Sequence, residues 1–178
     1  LGVDADVIFS AFSPAVAAAS IAQVHRATLR QNGEEVAVKV LRPDIERAFR
    51  TDLDAFFLAA RIIEVLSPAS RRLRPLDVIS HFESVVLGEL DLRLESSAAS
   101  EFAANTAQDE GFTLPVIKWP HSSRRVMTMS WAEGVPMGDN AAIDAAGHNR
   151  QALSTRVLQL FLNHALRDGY FHADMHQG

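Results

Sequence analysis

The 178-residue chain contains no cysteine. Disulfide bonds, thiolate nucleophiles and zinc sites built on cysteine are therefore excluded. The chain also lacks an excess of basic residues, because 17 lysines and arginines stand against 22 aspartates and glutamates, which gives a net charge of −5. A nucleic-acid-binding surface needs a surplus of positive charge for the phosphate backbone, so we expect no nucleic-acid partner.

Long hydrophobic runs and targeting signals are missing as well. The central apolar run 55–60 ends at Arg61, whereas a membrane-spanning helix needs about 18 apolar residues. Residues 1–4 contain neither an initiator methionine nor the basic and apolar regions of a signal peptide. We therefore expect an internal piece of a longer protein, without a transmembrane segment.

No glycine occurs between Gly2 and Gly33, and alanines occupy the positions at which a phosphate-covering loop has glycines. Ala17, Ala19 and Ala22 follow the pattern G-x-G-x-x-G-x-V of phosphate-covering loops, with every glycine replaced. Glycine in such a loop permits positive φ and lets backbone N–H groups approach phosphates, and both are impaired by a methyl group. By itself, the segment 15–19 is equally consistent with a simple turn or helix start.

Lys39 ends the sequence V-A-V-K, which is close to the V-A-I-K strand of kinases. A lysine in that strand contacts the α- and β-phosphates of ATP and needs an acidic partner on a helix. The pattern E-x-D-x-x-x-E at Glu89, Asp91 and Glu95 offers candidates. Asp91 and Glu95 are four residues apart and share a helix face, whereas Glu89 and Glu95 do not. A solvent-facing lysine and a solvated acidic face are the simpler alternatives.

Residues 172–178 read H-A-D-M-H-Q-G and follow the catalytic loop H-R-D-L-x-x-x-N up to its last position. Asp174 is therefore the candidate residue that accepts or orients the proton of the acceptor hydroxyl. His172, Asp174 and His176 alternate, and a metal site on one face of a strand is the alternative. The asparagine and D-F-G aspartate that hold magnesium in kinases would follow Gly178, so we expect no metal ligand within this chain.

Hydrophobic periodicity predicts both strands and helices. Strands are predicted over 7–12, 21–29, 35–41, 111–119 and 124–131, with a hairpin turn at Asn32-Gly33. Helices are predicted over 44–66 with Asp44 as N-cap, from 75 to about 107, over 139–146 and over 149–168. Met127, Met129 and Trp131 alternate in the last strand and are most simply core residues. In a kinase-like lobe, the segment 129–133 would be the hinge that meets adenine.

Four segments together resemble one family, the UbiB-like atypical kinases of ubiquinone biosynthesis, also called ADCK or aarF-type kinases. They are P-A-V-A-A-A-S-I-A-Q-V-H-R-A at 14–27, V-A-V-K-V-L-R-P at 36–43, the E-x-D-x-x-x-E residues, and F-H-A-D-M-H-Q-G at 171–178. The resemblance spans nearly the whole chain. It implies an α+β, protein-kinase-like fold, with an N-terminal lobe of antiparallel sheet and helices over 1–134. The start of a truncated helical C-terminal lobe would occupy 135–178.

The resemblance also implies roles for individual residues. Lys39 and Asp174 would be catalytic, and Glu95 is the first candidate for the partner of Lys39. Ser130 stands where many family members carry a glutamate, and the upstream KxGQ segment and C-terminal membrane helices of the family are not in this sequence. The nucleotide-binding residues implied by the resemblance are Ala17, Ala18, Ala19, Ser20, Val24, Lys39, Glu89, Asp91, Glu95, Met129 and Trp131.

The expected function is that of an ATP-binding atypical kinase or ATPase in ubiquinone biosynthesis, with ATP or ADP and Mg²⁺ as cofactors. The expected partners are membrane lipids or ubiquinone-pathway proteins, at the cytoplasmic face of a membrane such as the bacterial inner membrane. We expect the fragment alone to be inactive. Two alternatives remain. One is a small-molecule kinase of the aminoglycoside or choline kinase type, against which residues 17–24 count. The other is a non-catalytic, nucleotide-responsive scaffold that binds lipids or partner proteins.

Overall fold

The structure is a computed structural model that describes residues 1–171. Its contacts group the chain into two compact units. The first unit contains Leu1–Ala98 and Val116–Trp131, and the second contains Ala99–Pro115 and the chain from Ala132 onward. The predicted division into lobes after residue 134 stays a prediction.

A four-stranded antiparallel sheet with the order β1-β2-β3-β4 is the main feature of the first unit. One helical turn, α1 (Ala5–Ile8), precedes it. The sheet combined with helices confirms the predicted α+β fold class. The strands are β1 (Phe9–Ala18), β2 (Ala22–Leu29), β3 (Glu35–Leu41) and β4 (Val126–Ser130).

Side chains alternate between the two faces of the sheet, as the period of a strand requires. On one face, a buried cluster forms around β2 and β3, and Ile8, Val40 and Val126 pack against it. Lys39 belongs to the opposite set of positions in β3 and therefore projects from the other face. The cluster consists of Phe9, Ala27, Leu29, Val36 and Val38.

The prediction for the first strand was wrong at both ends. Residues 7 and 8 belong to α1, and β1 continues through Pro14 and the alanine segment as far as Ala18. Proline is tolerated here because β1 is an edge strand and its pairing with β2 is irregular between Phe12 and Ala15. The small residues of 15–18 gave no alternation signal, and their strand conformation comes from pairing with β2.

A long helix and a second helix follow β3. Helix α2 (Ile45–Leu66) agrees closely with the prediction and leads through a 3₁₀ turn (Pro68–Leu73) into α3 (Pro75–Glu89). Asp44 precedes α2 in the left-handed conformation with φ of 58°, and its side chain makes no capping bond. Asp44 therefore occupies the predicted N-cap position, but its side chain does not cap the helix, since a capping residue normally has an extended backbone.

The helix predicted from 75 to about 107 is broken. Helix α3 ends at Glu89, and a separate helix α4 (Leu92–Asn105) begins after Leu90 and Asp91. The break occurs because the N–H of Leu92 donates to the carbonyl of Arg124, 2.9 Å away, instead of continuing the helix. Apolar residues continue at helical spacing through Leu90 and Leu94, so periodicity alone did not indicate this break.

The predicted strand at 111–119 is also wrong. The structure has only an isolated bridge between Ile117 and Met129, followed by a 3₁₀ turn at Trp119–His121. The strand predicted at 124–131 is β4. In the second unit, α5 (Asn140–Ala145) and α6 (Arg150–Asn163) begin at Asp139 and Asn149, whose side chains accept N–H groups three residues on.

Helix α6 continues into a π-helical turn (His164–Asp168) that ends at Gly169, where φ is 62°. Glycine takes this left-handed conformation without the penalty that a Cβ atom would bring. Within residues 1–171, no helix is both long enough and apolar enough to span a membrane.

Candidate functional site

The alanine segment is a strand and a tight connection rather than a long loop. Ala17 and Ala18 are the last paired residues of β1, opposite Val24 and Gln23, and Ala19 and Ser20 lie in the connection to β2. None of these four residues has positive φ. Alanine therefore fits this backbone without strain, and glycine is not required for the path of the chain.

Arg42 holds the connection between β1 and β2. Its Nε and Nη2 donate to the carbonyl of Ala19, at 3.3 and 3.1 Å, and its backbone N–H donates to the carbonyl of Ile21. The N–H of Ala19 donates to the carbonyl of Ala22, at 2.9 Å. This arginine lies three residues after Lys39, within the segment 36–43 that resembles the family, and it was assigned no role from the sequence.

Four residues form one row across the whole sheet. Ala17 pairs with Val24, Val24 pairs with Lys39, and Lys39 pairs with Met127. Directly opposed residues of antiparallel strands project from the same face. The neighbouring row on that face contains Arg26, Ala37 and Met129. The sheet therefore gathers the alanine segment, Lys39 and the predicted hinge strand on one surface.

Glu95 is the partner of Lys39. The Nζ atom of Lys39 donates to both carboxylate oxygens of Glu95, each at 2.7 Å. Glu95 lies in the first turn of α4, and its side chain is about half exposed, whereas that of Lys39 is 21% exposed. The structure thus selects one of the three acidic candidates, although the role of the pair stays a prediction.

Asp91 has a different task from Glu95. Its Oδ1 accepts the backbone N–H of Arg93 at 3.1 Å, as an N-cap residue does, and both carboxylate oxygens accept the guanidinium of Arg93 at 2.9 and 2.6 Å. These hydrogen bonds with Arg93 lower the pKa of Asp91 to about 2. The carboxylate is therefore charged, and it fixes the start of the helix that carries Glu95.

Glu89 is exposed at the end of α3 and makes no ion pair or hydrogen bond with a residue in the described range. It lies before the break that separates α3 from α4. The structure therefore brings Glu95 to Lys39 and leaves Glu89 apart from that pair.

The predicted hinge segment is held by an arginine of β2. Arg26 forms a bidentate ion pair with Glu35, at 3.1 and 2.5 Å, and its guanidinium lies 4.7 Å from the centre of the Trp131 ring. The N–H of Trp131 donates to the carbonyl of Glu35, at 3.1 Å. Met129 is half-buried beside Ala37.

A separate network of hydrogen bonds and ion pairs lies at the C-terminal end of α6 in the second unit. His164 is 3% exposed and its Nε2 lies 2.9 Å from Oδ2 of Asp109. Arg167 donates to both oxygens of Asp109 and to both oxygens of Asp168, at 2.7–2.9 Å. Hydrogen bonds from Arg167 and then His164 lower the pKa of Asp109 to about 2. An ionised carboxylate only accepts, so Nε2 of His164 carries the proton.

Aromatic rings surround this network. Phe102 and Phe112 contact the imidazole of His164 with ring centres 5.0 and 4.9 Å apart, and Phe102 also contacts Tyr170. His164 is therefore a buried histidine packed among aromatic rings. Asp174, His172 and His176, the predicted catalytic aspartate and its flanking histidines, lie outside the described residues. Within 1–171, no group of three potential metal ligands occurs.

Comparison with known proteins places the whole chain in one group. Residues 1–178 match the family described as ABC1 atypical kinase-like domain. The chain is 38% identical over 179 residues to a protein of Marinobacter nauticus named "Probable protein kinase UbiB", covering 100% of this chain and 32% of that protein. A protein of the same name from Klebsiella pneumoniae is 39% identical over 178 residues, covering 99% and 33%. The chain spans about a third of the length of these relatives.

Proposed function

The chain belongs to the ABC1 atypical kinase-like family, and from that premise we propose that it forms part of a nucleotide site in the full-length protein. The site binds ATP or ADP with Mg²⁺ and supports phosphoryl transfer or ATP hydrolysis in ubiquinone biosynthesis. The observation that carries the proposal is the ion pair between Lys39 and Glu95, on the sheet face opposite the cluster of Val36 and Val38.

The ion pair is suited to meet phosphate oxygens. A lysine ammonium group has three N–H donors. Among the described residues, Lys39 donates only to the two carboxylate oxygens of Glu95. The remaining bonding capacity of Lys39 points to a ligand with acceptor oxygens. Glu95 holds the ammonium in place, which reduces the rotamer freedom that is lost when phosphate binds.

The surface around Lys39 suits a nucleotide as well. Ala17, Val24 and Ala37 present small apolar side chains on the same face. Small side chains leave room for the flat faces of a purine, which are apolar, while the phosphates extend towards Lys39. In place of the glycine loop, the methyl groups of the alanine segment restrict how closely backbone N–H groups reach those phosphates.

Magnesium does not fit the described residues alone. They contain no cluster of three potential ligands, and the carboxylates of Asp91 and Glu95 already bind Arg93 and Lys39. The proposal therefore assigns the metal ligands to residues outside 1–171. When bound, the ion would neutralise charge on the phosphates.

Asp174 completes the proposed roles. As the aspartate of an H-x-D loop, it would accept the proton of the acceptor hydroxyl or orient an attacking water. The link to ubiquinone biosynthesis is supported by the UbiB name of the relatives and by the residues that resemble that family. A membrane location and contacts with lipids or pathway proteins belong to the same proposal.

The test uses the full-length protein with Lys39→Met and Asp174→Asn. We expect Lys39→Met to weaken ATP or ADP binding at least about tenfold, because a charge-assisted bond to phosphate is lost. Asp174→Asn should lower turnover by about 10²–10⁴ without the same loss of affinity. Titration calorimetry and release of inorganic phosphate provide the two measurements.

Lys118→Met is the matched control. Lys118 also belongs to the first unit, pairs with Glu34 at 2.5 Å, and is 24% exposed against 21% for Lys39. It should leave affinity and turnover within twofold of the wild type. If Lys39→Met and Lys118→Met bind nucleotide equally well, the proposal is wrong. Nucleotide binding with no phosphate release under any lipid condition would instead favour a non-catalytic scaffold.

A further inference from the structure

An arginine-rich depression of about 390 Å³ lies at the start of α2. Two of its arginines, Arg47 and Arg50, are three residues apart on α2 and therefore share a helix face. A third, Arg125, comes from the segment just before β4. The lining residues are Asp44, Glu46, Arg47, Arg50 and Arg125.

The three guanidinium groups have no partner within the described range. Arg47, Arg50 and Arg125 form no side-chain ion pair or hydrogen bond there. Glu46 is engaged by Arg124 at 3.4 Å, and Asp44 does not form an ion pair with any of the three arginines. The lining holds three arginines against two carboxylates, and a bound anion would offset this surplus of positive charge.

The walls of the depression are fixed relative to each other. The carbonyl of Arg125 accepts the N–H of Leu41 at 3.1 Å, which attaches its segment to the end of β3. The ion pair between Arg124 and Glu46 attaches the same segment to the first turn of α2. The arginines are therefore carried by two anchored elements rather than by a free loop, so their spacing is maintained.

We propose that this depression binds a phosphate group, supplied either by a soluble phosphate monoester or by the headgroup of an anionic phospholipid. Guanidinium groups match the geometry of phosphate oxygens and bind them through two parallel N–H donors. The N-terminal end of the 22-residue helix α2 adds a favourable dipole at the same place. The residues that line the depression are not those of the proposed nucleotide site, and this inference does not depend on that proposal.

The test uses the full-length protein carrying Lys39→Met in every sample, so that phosphate bound at Lys39 does not contribute. Two probes distinguish the sources: glycerol 3-phosphate by titration calorimetry, and vesicles with about 30% phosphatidylglycerol in phosphatidylcholine by flotation. Arg47→Gln with Arg50→Gln is the test variant. Arg71→Gln with Arg72→Gln is the control, because it removes the same charge from the exposed connector between α2 and α3.

We expect the test variant to weaken binding of at least one probe about tenfold relative to the control, and Arg125→Gln to weaken the same probe. An effect on glycerol 3-phosphate identifies a soluble ligand, and an effect confined to the charged vesicles identifies a lipid headgroup. Equal binding by test and control variants overturns the proposal, as does failure of the Lys39→Met protein to bind either probe at millimolar concentration.

Discussion

The ion pair of Lys39 and Glu95 in the first unit and the network of Asp109 in the second differ in how fully their charges are satisfied. Lys39 and Glu95 bond only to each other among the described residues. Asp109 accepts one hydrogen bond from His164 and two from Arg167. The guanidinium of Arg167 also donates to Asp168. Both sets contain a carboxylate and a cation, yet only the first retains bonding capacity for another molecule.

This difference indicates that the charged residues are structural in the second unit and available for ligand binding in the first. The network around the buried His164 fixes one arrangement of the chain, because a broken bond leaves the buried imidazole or the Asp109 carboxylate without a partner. A half-exposed pair contributes little to stability, since an exposed ion pair is worth about 0–1 kcal/mol. Substitution should therefore affect stability in the second unit and ligand binding in the first.

The largest expected effect is that of Asp109→Asn in the full-length protein. Asparagine has one acceptor oxygen, and its NH₂ group would face the donors of Arg167, so His164 or Arg167 loses its partner. We expect the melting temperature to fall by about 5 °C or more, with nucleotide affinity unchanged below the transition. Asp144→Asn is the control, because Asp144 and Arg150 form an exposed pair. Equal melting temperatures of the two variants would contradict the comparison.

Glu95→Gln should show the opposite profile. Glutamine keeps the shape of the side chain but loses the charge that holds Lys39. We expect nucleotide affinity to fall about three- to tenfold while the melting temperature changes by about 2 °C or less. Calorimetric titration and thermal denaturation measure the two quantities. A marked loss of stability with unchanged affinity would show that the pair is structural, like the network of Asp109.

Asp91→Ala tests the helix start that carries Glu95. Loss of the cap should cost about 1 kcal/mol at pH 7. The pKa of Asp91 is lowered to about 2 in the folded state, so its charge contributes stability above the unfolded pKa near 3.9 and loses it as pH falls from about 4 towards 2. Urea denaturation should show the difference between wild type and variant shrinking over that range. A difference that stays constant with pH would exclude this role of the carboxylate.

Asp44→Gly should give the smallest effect. Asp44 has φ of 58°, and glycine takes this conformation without a Cβ penalty, although it raises the entropy of the unfolded chain. We expect a net gain of about 0.5 kcal/mol in the free energy of unfolding, whereas Asp44→Ala should lose stability. The glycine variant also removes a carboxylate from the arginine-lined depression, so glycerol 3-phosphate or charged vesicles should bind more tightly to it.

Much of the fold follows from local patterns. Alternation predicted β3 at the residues where it occurs, and helical periodicity predicted α2 to within one residue. Prediction failed where neighbours along the chain do not decide the conformation. The alanines of β1 form a strand because β2 pairs with them, and α3 ends because the carbonyl of Arg124 accepts the N–H of Leu92.

For the candidate site, too, sequence patterns marked some residues but not their contacts. The V-A-V-K sequence marked Lys39, and the E-x-D-x-x-x-E pattern limited its partner to three residues. Neither pattern distinguished Glu95, which pairs with Lys39, from Asp91, which caps a helix. Arg26 and Arg42 lie in segments that resemble the family, but neither was assigned a role, because their contacts with Trp131 and Ala19 arise from sheet pairing.

By itself, the sequence predicted β2, β3, β4 and α2 close to their observed bounds, excluded cysteine chemistry, and marked Lys39 within a kinase-like pattern. The tertiary structure decided which charges meet. Lys39 and Glu95 are 56 residues apart, and Asp109 and His164 are 55 apart. Periodicity reports the face on which a side chain lies, but a contact across such a distance depends on how whole elements pack, and local sequence does not encode that packing.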